Sequence, residues 1–113
     1  MDALKLVLAV ANVLFGVVSL VAPKRLAEAV GLGVDTPDGL AEIRNGWGGL
    51  YVALGLALLV LQAVPAYQVA GAMYAGMGAV RLAQLAVIKS LRTPTQAGIL
   101  AFELVSAVIF LLA

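Results

Sequence analysis

Four long apolar stretches run through the chain, and its polar residues gather in the short breaks between them. The first stretch predicts a helix over 4–21 that stops at Ala22, because a residue before proline disfavours helical angles. Pro23 suits a first helical turn, and Leu26, Ala29 and Val30 share a face. The segment from Pro23 to Val30 therefore reads as a short amphipathic helix at a membrane surface. Gly31 and Gly33 end it, and Val34 to Gly39 reads as a polar loop. A second helix is expected over 40–64, a very short turn at Pro65, a third helix over 66–89, and a fourth over 95–113. Each apolar stretch is about 18–25 residues, the length that crosses a hydrocarbon core of about 30 Å. The expected fold class is all-α: a four-transmembrane-helix bundle, one integral membrane domain over 1–113, with a surface helix between helices one and two.

Composition decides which solvent those helices face. Hydrophobic residues make up 64% of the chain and charged residues 12%, against about 45–50% and 25% in soluble domains, and mean hydropathy is +1.10. A water-soluble bundle would need a polar outer face on every helix, which these lack, so the lipid bilayer is the first expected partner. A net charge of +1 gives no footprint for nucleic acid. With no Cys, disulfides, thiol redox chemistry and thiolate metal sites are excluded, and with no His the usual haem and zinc ligand is missing. Six acids remain, which leaves a hard-cation site open in principle, but no ligand spacing suggests one, and neither metal nor cofactor is expected. The apolar run from Leu6 to Ala22 is too long for a signal peptide, and Leu20 sits where a cleavage site needs a small residue, so the segment reads as a retained helix. Lys24, Arg25, Lys89 and Arg92 fall in connections on one side. Only Lys5 and an uncharged turn fall on the other. The positive-inside rule then places both termini on the non-cytoplasmic face.

Charges inside spans are the candidate chemistry, because each costs several kcal/mol unless paired or wetted. Glu42 and Arg44 lie near the start of helix two, Arg81 in helix three and Glu103 in helix four. The turn between the last two helices centres near Arg92, eleven residues from each of Arg81 and Glu103. Equidistant residues of an antiparallel hairpin share a depth, here on the order of 12–15 Å from the turn. Opposite charges level with each other in lipid are expected to pair. Asn12, Asn45 and Gln84 extend the expected polar cluster, and Trp47 and Tyr51, one turn apart, either line a pocket beside it or pack. The cluster reads either as a site for a proton, ion or small anion, with Glu103 or Glu42 titrating, or as interlocked ion pairs that fix helix register.

Small residues form the second pattern. Gly48 and Gly49 in helix two, and Gly71, Ala75, Gly78 and Ala79 in helix three, are expected to let helices approach closely, within one chain or across a homodimer seam. Tyr67, beside Pro65, fits an interfacial aromatic belt.

The stretch APKRLAEAVGLGVDTPDGLAEIRNGWGGLY, from Ala22 to Tyr51, with its proline-led helix, Asp-Gly loop end, Glu42-x-Arg44 and aromatic before Gly48-Gly49, resembles a family of small bacterial four-helix membrane proteins catalogued as a domain of unknown function. Gly78-x-x-Arg81 and Glu103 also look like that family, so the resemblance covers essentially the whole chain. It implies the four-helix fold, a bacterial inner membrane, and that Glu42, Arg44, Arg81 and Glu103 matter together. It implies no activity. Small multidrug exporters fit less well, since they need an acid in helix one, where only Asn12 stands; thiol-dependent quinone reductases need Cys pairs. Three readings follow: a non-enzymatic scaffold or accessory subunit packing on a larger membrane partner or itself, a small oligomeric proton- or ion-coupled carrier or channel, and a lipid- or quinone-binding protein or enzyme.

Overall fold

Asp2 opens the first helix by accepting a hydrogen bond from the Lys5 backbone N–H. Its carboxylate also pairs with the Lys5 ammonium, and that contact, followed by the backbone bond, holds it below the usual carboxylate range. The computed structural model describes residues 2–113. Helices α1 (Ala3–Val21), α2 (Pro23–Ala29) and α3 (Pro37–Ile43) are followed by a π-helical segment, Arg44–Gly49, which runs directly into α4 (Leu50–Leu61). Helix α5 (Val64–Val87), a 3-10 turn (Lys89–Leu91) and α6 (Pro94–Leu111) complete the chain. No strand occurs among the described residues. Contacts divide the chain into two compact units, Met1–Gln62 and Ala63–Ala113.

In the first unit, α1 packs antiparallel on the π segment and α4 through glycine notches. A Cβ on Gly16 would stand 2.6 Å from Val52 N, one on Gly55 2.7 Å from Ala9 O, and one on Gly48 2.6 Å from the Leu20 side chain. These backbones touch, and only glycine permits it. The buried stripe of α1, Leu8, Ala9, Asn12, Gly16 and Ser19, follows helical spacing. Pro23 and Ala27 of α2 are also buried, so the inner face of the short helix packs on protein while Lys24 and Arg25 stay exposed.

The second helix differs from the sequence expectation at both ends. It begins at Pro37 rather than Leu40, because Thr36 caps it through Gly39 N and Pro37 stands in the first turn, where a proline costs nothing. It ends at Leu61 rather than Val64. Gln62 takes left-handed angles (φ 43°) and its amide reaches back to Leu59 O, while Ala63 is already extended. The third helix accordingly starts at Val64 and ends at Val87, two residues before the expected Lys89.

In the second unit, α5 and α6 form an antiparallel hairpin. A Cβ on Gly71 would meet Leu111 at 2.8 Å and one on Gly78 would meet Leu104 at 3.0 Å. Tyr67 and Tyr74 both stack on Phe110, and Tyr74 meets Phe102 edge-on. Tyr67 is therefore a core residue and not a member of an interfacial belt: only 5% of it is exposed, because Phe110 gives its ring an apolar partner. At the turn, Arg92 donates to Leu85 O and Ala86 O, closing the C-terminal carbonyls of α5, and Thr93 caps α6 through Gln96 N.

Three helices are long and apolar enough to cross a membrane: Ala3–Val21, the continuous helix Pro37–Leu61, and Pro94–Leu111. Many of their large apolar side chains stand outward, with Val60 79%, Leu61 62% and Val105 54% exposed, a surface that water does not favour at this extent. Helix α5 is 24 residues, longer than any of the other single helices, but Gln68, Arg81, Gln84 and three glycines dilute its apolar character.

Candidate functional site

The hairpin of the second unit holds the charged centre. Arg81 stands on α5 and Glu103 on α6, level with each other in the antiparallel register set by Gly78 against Leu104. Arg81 Nε donates to Glu103 Oε1 at 2.7 Å and Nη2 donates to Oε2 at 3.2 Å, the side-on fork that matches guanidinium to carboxylate. Nη1 donates to Gln96 Oε1 at 2.7 Å. Gln96 lies seven residues before Glu103, hence on the same face of α6, and its own N–H is fixed by the Thr93 cap. The Glu103 side chain is 5% exposed and that of Arg81 26%. The carboxylate is therefore enclosed, while part of the guanidinium stays open.

Sequence reasoning named Arg81 and Glu103 but missed Gln96. The signal was present, since i and i+7 residues share a helix face, but a neutral amide in the first turn of a helix did not stand out. One turn beyond Glu103, Ser106 is fully buried and its hydroxyl has no hydrogen-bond partner. Phe102, Ser106 and Phe110 are spaced by four on α6, and Tyr74 touches both phenylalanines. Tyr74 thus packs on the two rings that stand one turn either side of Ser106.

Along α5, an open groove of about 430 Å³ is lined by Gly76, Met77, Val80, Arg81 and Gln84. Gln84 is exposed, and its side-chain amide takes no part in the hydrogen bonds of the described residues. Ala79 is also exposed and Ala75 half-buried; the close approach to α6 runs instead along Gly71, Tyr74 and Gly78.

The remaining expected site residues lie in the first unit. Glu42, Arg44 and Asn45 are exposed, not buried. The reason is phase: Ile43 takes the buried position, and at about 100° per residue its two neighbours swing outward on either side. Asn12 is buried and donates to Leu8 O of its own helix at 2.7 Å. Trp47 and Tyr51 pack on Phe15, with ring centroids at 5.7 and 4.9 Å, a residue the sequence reading did not single out. Gly48 sits against Leu20, whereas a Cβ on Gly49 would find its nearest neighbour, Arg44 O, at 3.9 Å. Among the described residues, no group of three or more acids is placed to hold a metal ion.

Comparison with known proteins gives one match, to the family model described as Domain of unknown function (DUF4345), over residues 2–113. No curated protein and no solved structure matches the chain. The matched segment takes in both units, the Arg81–Glu103 pair and the exposed Glu42 and Arg44. This all-helical chain, with three helices fit to cross a membrane, belongs to the DUF4345 family.

Proposed function

We propose that the chain is a non-enzymatic, four-span protein of the bacterial inner membrane that acts as a helical scaffold or accessory subunit. In this reading α5 is the fourth span, and both termini lie on the non-cytoplasmic side. The observation that carries the proposal is the closure of the Arg81–Glu103 pair. Both oxygens of Glu103 accept from Arg81, and the third guanidinium contact goes to Gln96. A carboxylate held by two charge-assisted bonds in an enclosed site is suited to locking two helices at one register. It is poorly suited to passing a proton, which would require breaking the fork. The pair also relieves α5 of the cost of an unpaired arginine in lipid, which makes a less apolar helix admissible as a span.

The test is a stability cycle in bicelles on Arg81→Met, Glu103→Leu and the double variant. Each single change leaves a buried or half-buried charge without its partner, and the expected loss is about 2–4 kcal/mol. The double change is expected to return to within about 1 kcal/mol of the parent, since paired removal leaves no orphan. Single variants as stable as the parent would sink the scaffold reading and bring the carrier forward, with proton flux into liposomes as the next measurement.

A further inference from the structure

We propose that the groove on α5 seats one phospholipid of the leaflet facing the α5–α6 turn. Its phosphate or glycerol-ester oxygens would accept from Arg81 and Gln84, and an acyl chain would lie over Val80, Met77 and Gly76. The inference rests on the reading of α5 as a membrane span. Three observations carry it.

The first is donor surplus. A guanidinium has five N–H bonds, of which Glu103 and Gln96 take three, and the side chain is 26% exposed. Two donors therefore remain, next to the unengaged amide of Gln84. In water such groups are satisfied by solvent. On a spanning helix they need another acceptor, because an unpaired polar group in hydrocarbon costs several kcal/mol. The acceptor-rich part of a phospholipid supplies one without adding a second protein.

The second is depth. Arg81 lies six residues before Val87, the last residue of α5, which is about 9 Å along the axis. That is between one and two turns inside the helix end, a depth from which the long Arg81 and Gln84 side chains extend toward ester and phosphate oxygens, and the basic turn with Lys89 and Arg92 lies beyond it.

The third is shape and polarity. The groove is open along its length and about 430 Å³ in volume, so an occupant would lie along the helix and not be enclosed. The groove is polar at Arg81 and Gln84, nearer the turn, and apolar at Val80, Met77 and Gly76, deeper in. At Gly76 the surface is open, since a Cβ there would meet nothing within 4 Å. An amphiphile with its head toward the turn matches that sequence of surfaces. The charge of Arg81 is already balanced by Glu103, so the recognition is by hydrogen bonding and does not require an anionic headgroup.

The experiment compares the full-length parent with Gly76→Leu and Gln84→Leu, each titrated with dioleoyl phosphatidylethanolamine and read by native mass spectrometry. Gly76→Leu fills the groove where there is open space, so thermal stability should be unchanged. The expected result is one retained phospholipid on the parent, and affinity lower by about tenfold in each variant, a loss of roughly 1.4 kcal/mol. Equal lipid retention in parent and Gly76→Leu overturns the proposal. So does a lipid-free dimer that Gly76→Leu dissociates, which would make a second copy the occupant of the groove. Carbonate extraction run alongside separates the two readings: a chain released into the soluble fraction defeats the membrane reading itself. A chain that stays in the membrane but keeps its lipid when the groove is filled defeats only this inference.

Discussion

Single residues in the second unit show how one polar atom can be held tightly and its neighbour left alone. Glu103 has both oxygens occupied, while Ser106, one turn on, has a buried hydroxyl with no partner. By contrast, Ser19 turns its hydroxyl back to Phe15 O of the preceding turn, so the free hydroxyl of Ser106 is a choice of rotamer and not a necessity of helices. Ser106 is fully buried, and Tyr74 packs on Phe102 and Phe110, one turn either side of it. The Ser106 hydroxyl therefore contributes cost without a bond. Ser106→Ala should leave stability unchanged or raise it by up to about 1 kcal/mol in bicelle denaturation. A loss of more than about 1 kcal/mol would mean that the hydroxyl holds something, such as an ordered water.

Elements carry the next lesson, and the helix from Pro37 to Leu61 carries most of it. Between Arg44 and Gly49 the helix widens, and Leu50 N donates to Asn45 O, five residues back. One residue more is accommodated here than an α-helix would take, in a stretch with three glycines where Gly46 has open space around it. Deleting Gly46 should therefore convert the segment to α-helix and keep Gly48 on Leu20 and Gly55 on Val13. Deleting Ala53, inside α4, instead brings Leu56 into the place of Gly55, where even a Cβ stands 2.5 Å from Val13. The first deletion should cost less than about 1 kcal/mol and the second about 2–3 kcal/mol or more, by thermal unfolding in detergent. None of this was legible in the sequence. The widened turn shifts phase by a single residue, and periodicity blurs over that distance when every residue around it is apolar or glycine. Phase was also what the sequence left open at Glu42 and Arg44, which were expected inside and stand exposed. A pattern that is hydrophobic all round does not say which residue of Glu42-Ile43-Arg44 turns inward; only the fit of Ile43 into the unit does. The Arg81–Glu103 pair was legible for the opposite reason. Its argument used distance from a turn, which does not depend on rotational phase, and the short connection at Arg92 fixed that distance.

At the scale of the whole molecule, the all-α class and the presence of helices long and apolar enough to cross a membrane were readable from composition and run length. Helix ends were readable where proline and threonine mark them. They were misread where Gln62, a residue with no special turn preference, adopts left-handed angles. The division of contacts at Gln62 and Ala63 has a consequence in time. Residues leave the ribosome at about 5–20 per second, so the 51 residues after Gln62 take roughly 3–10 s to appear. The glycine-notched partner of α1 emerges within that interval, ahead of α5 and α6, so the first hairpin can settle before the second is complete. A chain cut between Gln62 and Ala63, with both halves co-expressed, should yield two membrane-inserted hairpins, each resistant to added protease. Degradation of the first half whenever the second is withheld would show instead that neither matures alone, and that the order of synthesis does not become the order of folding.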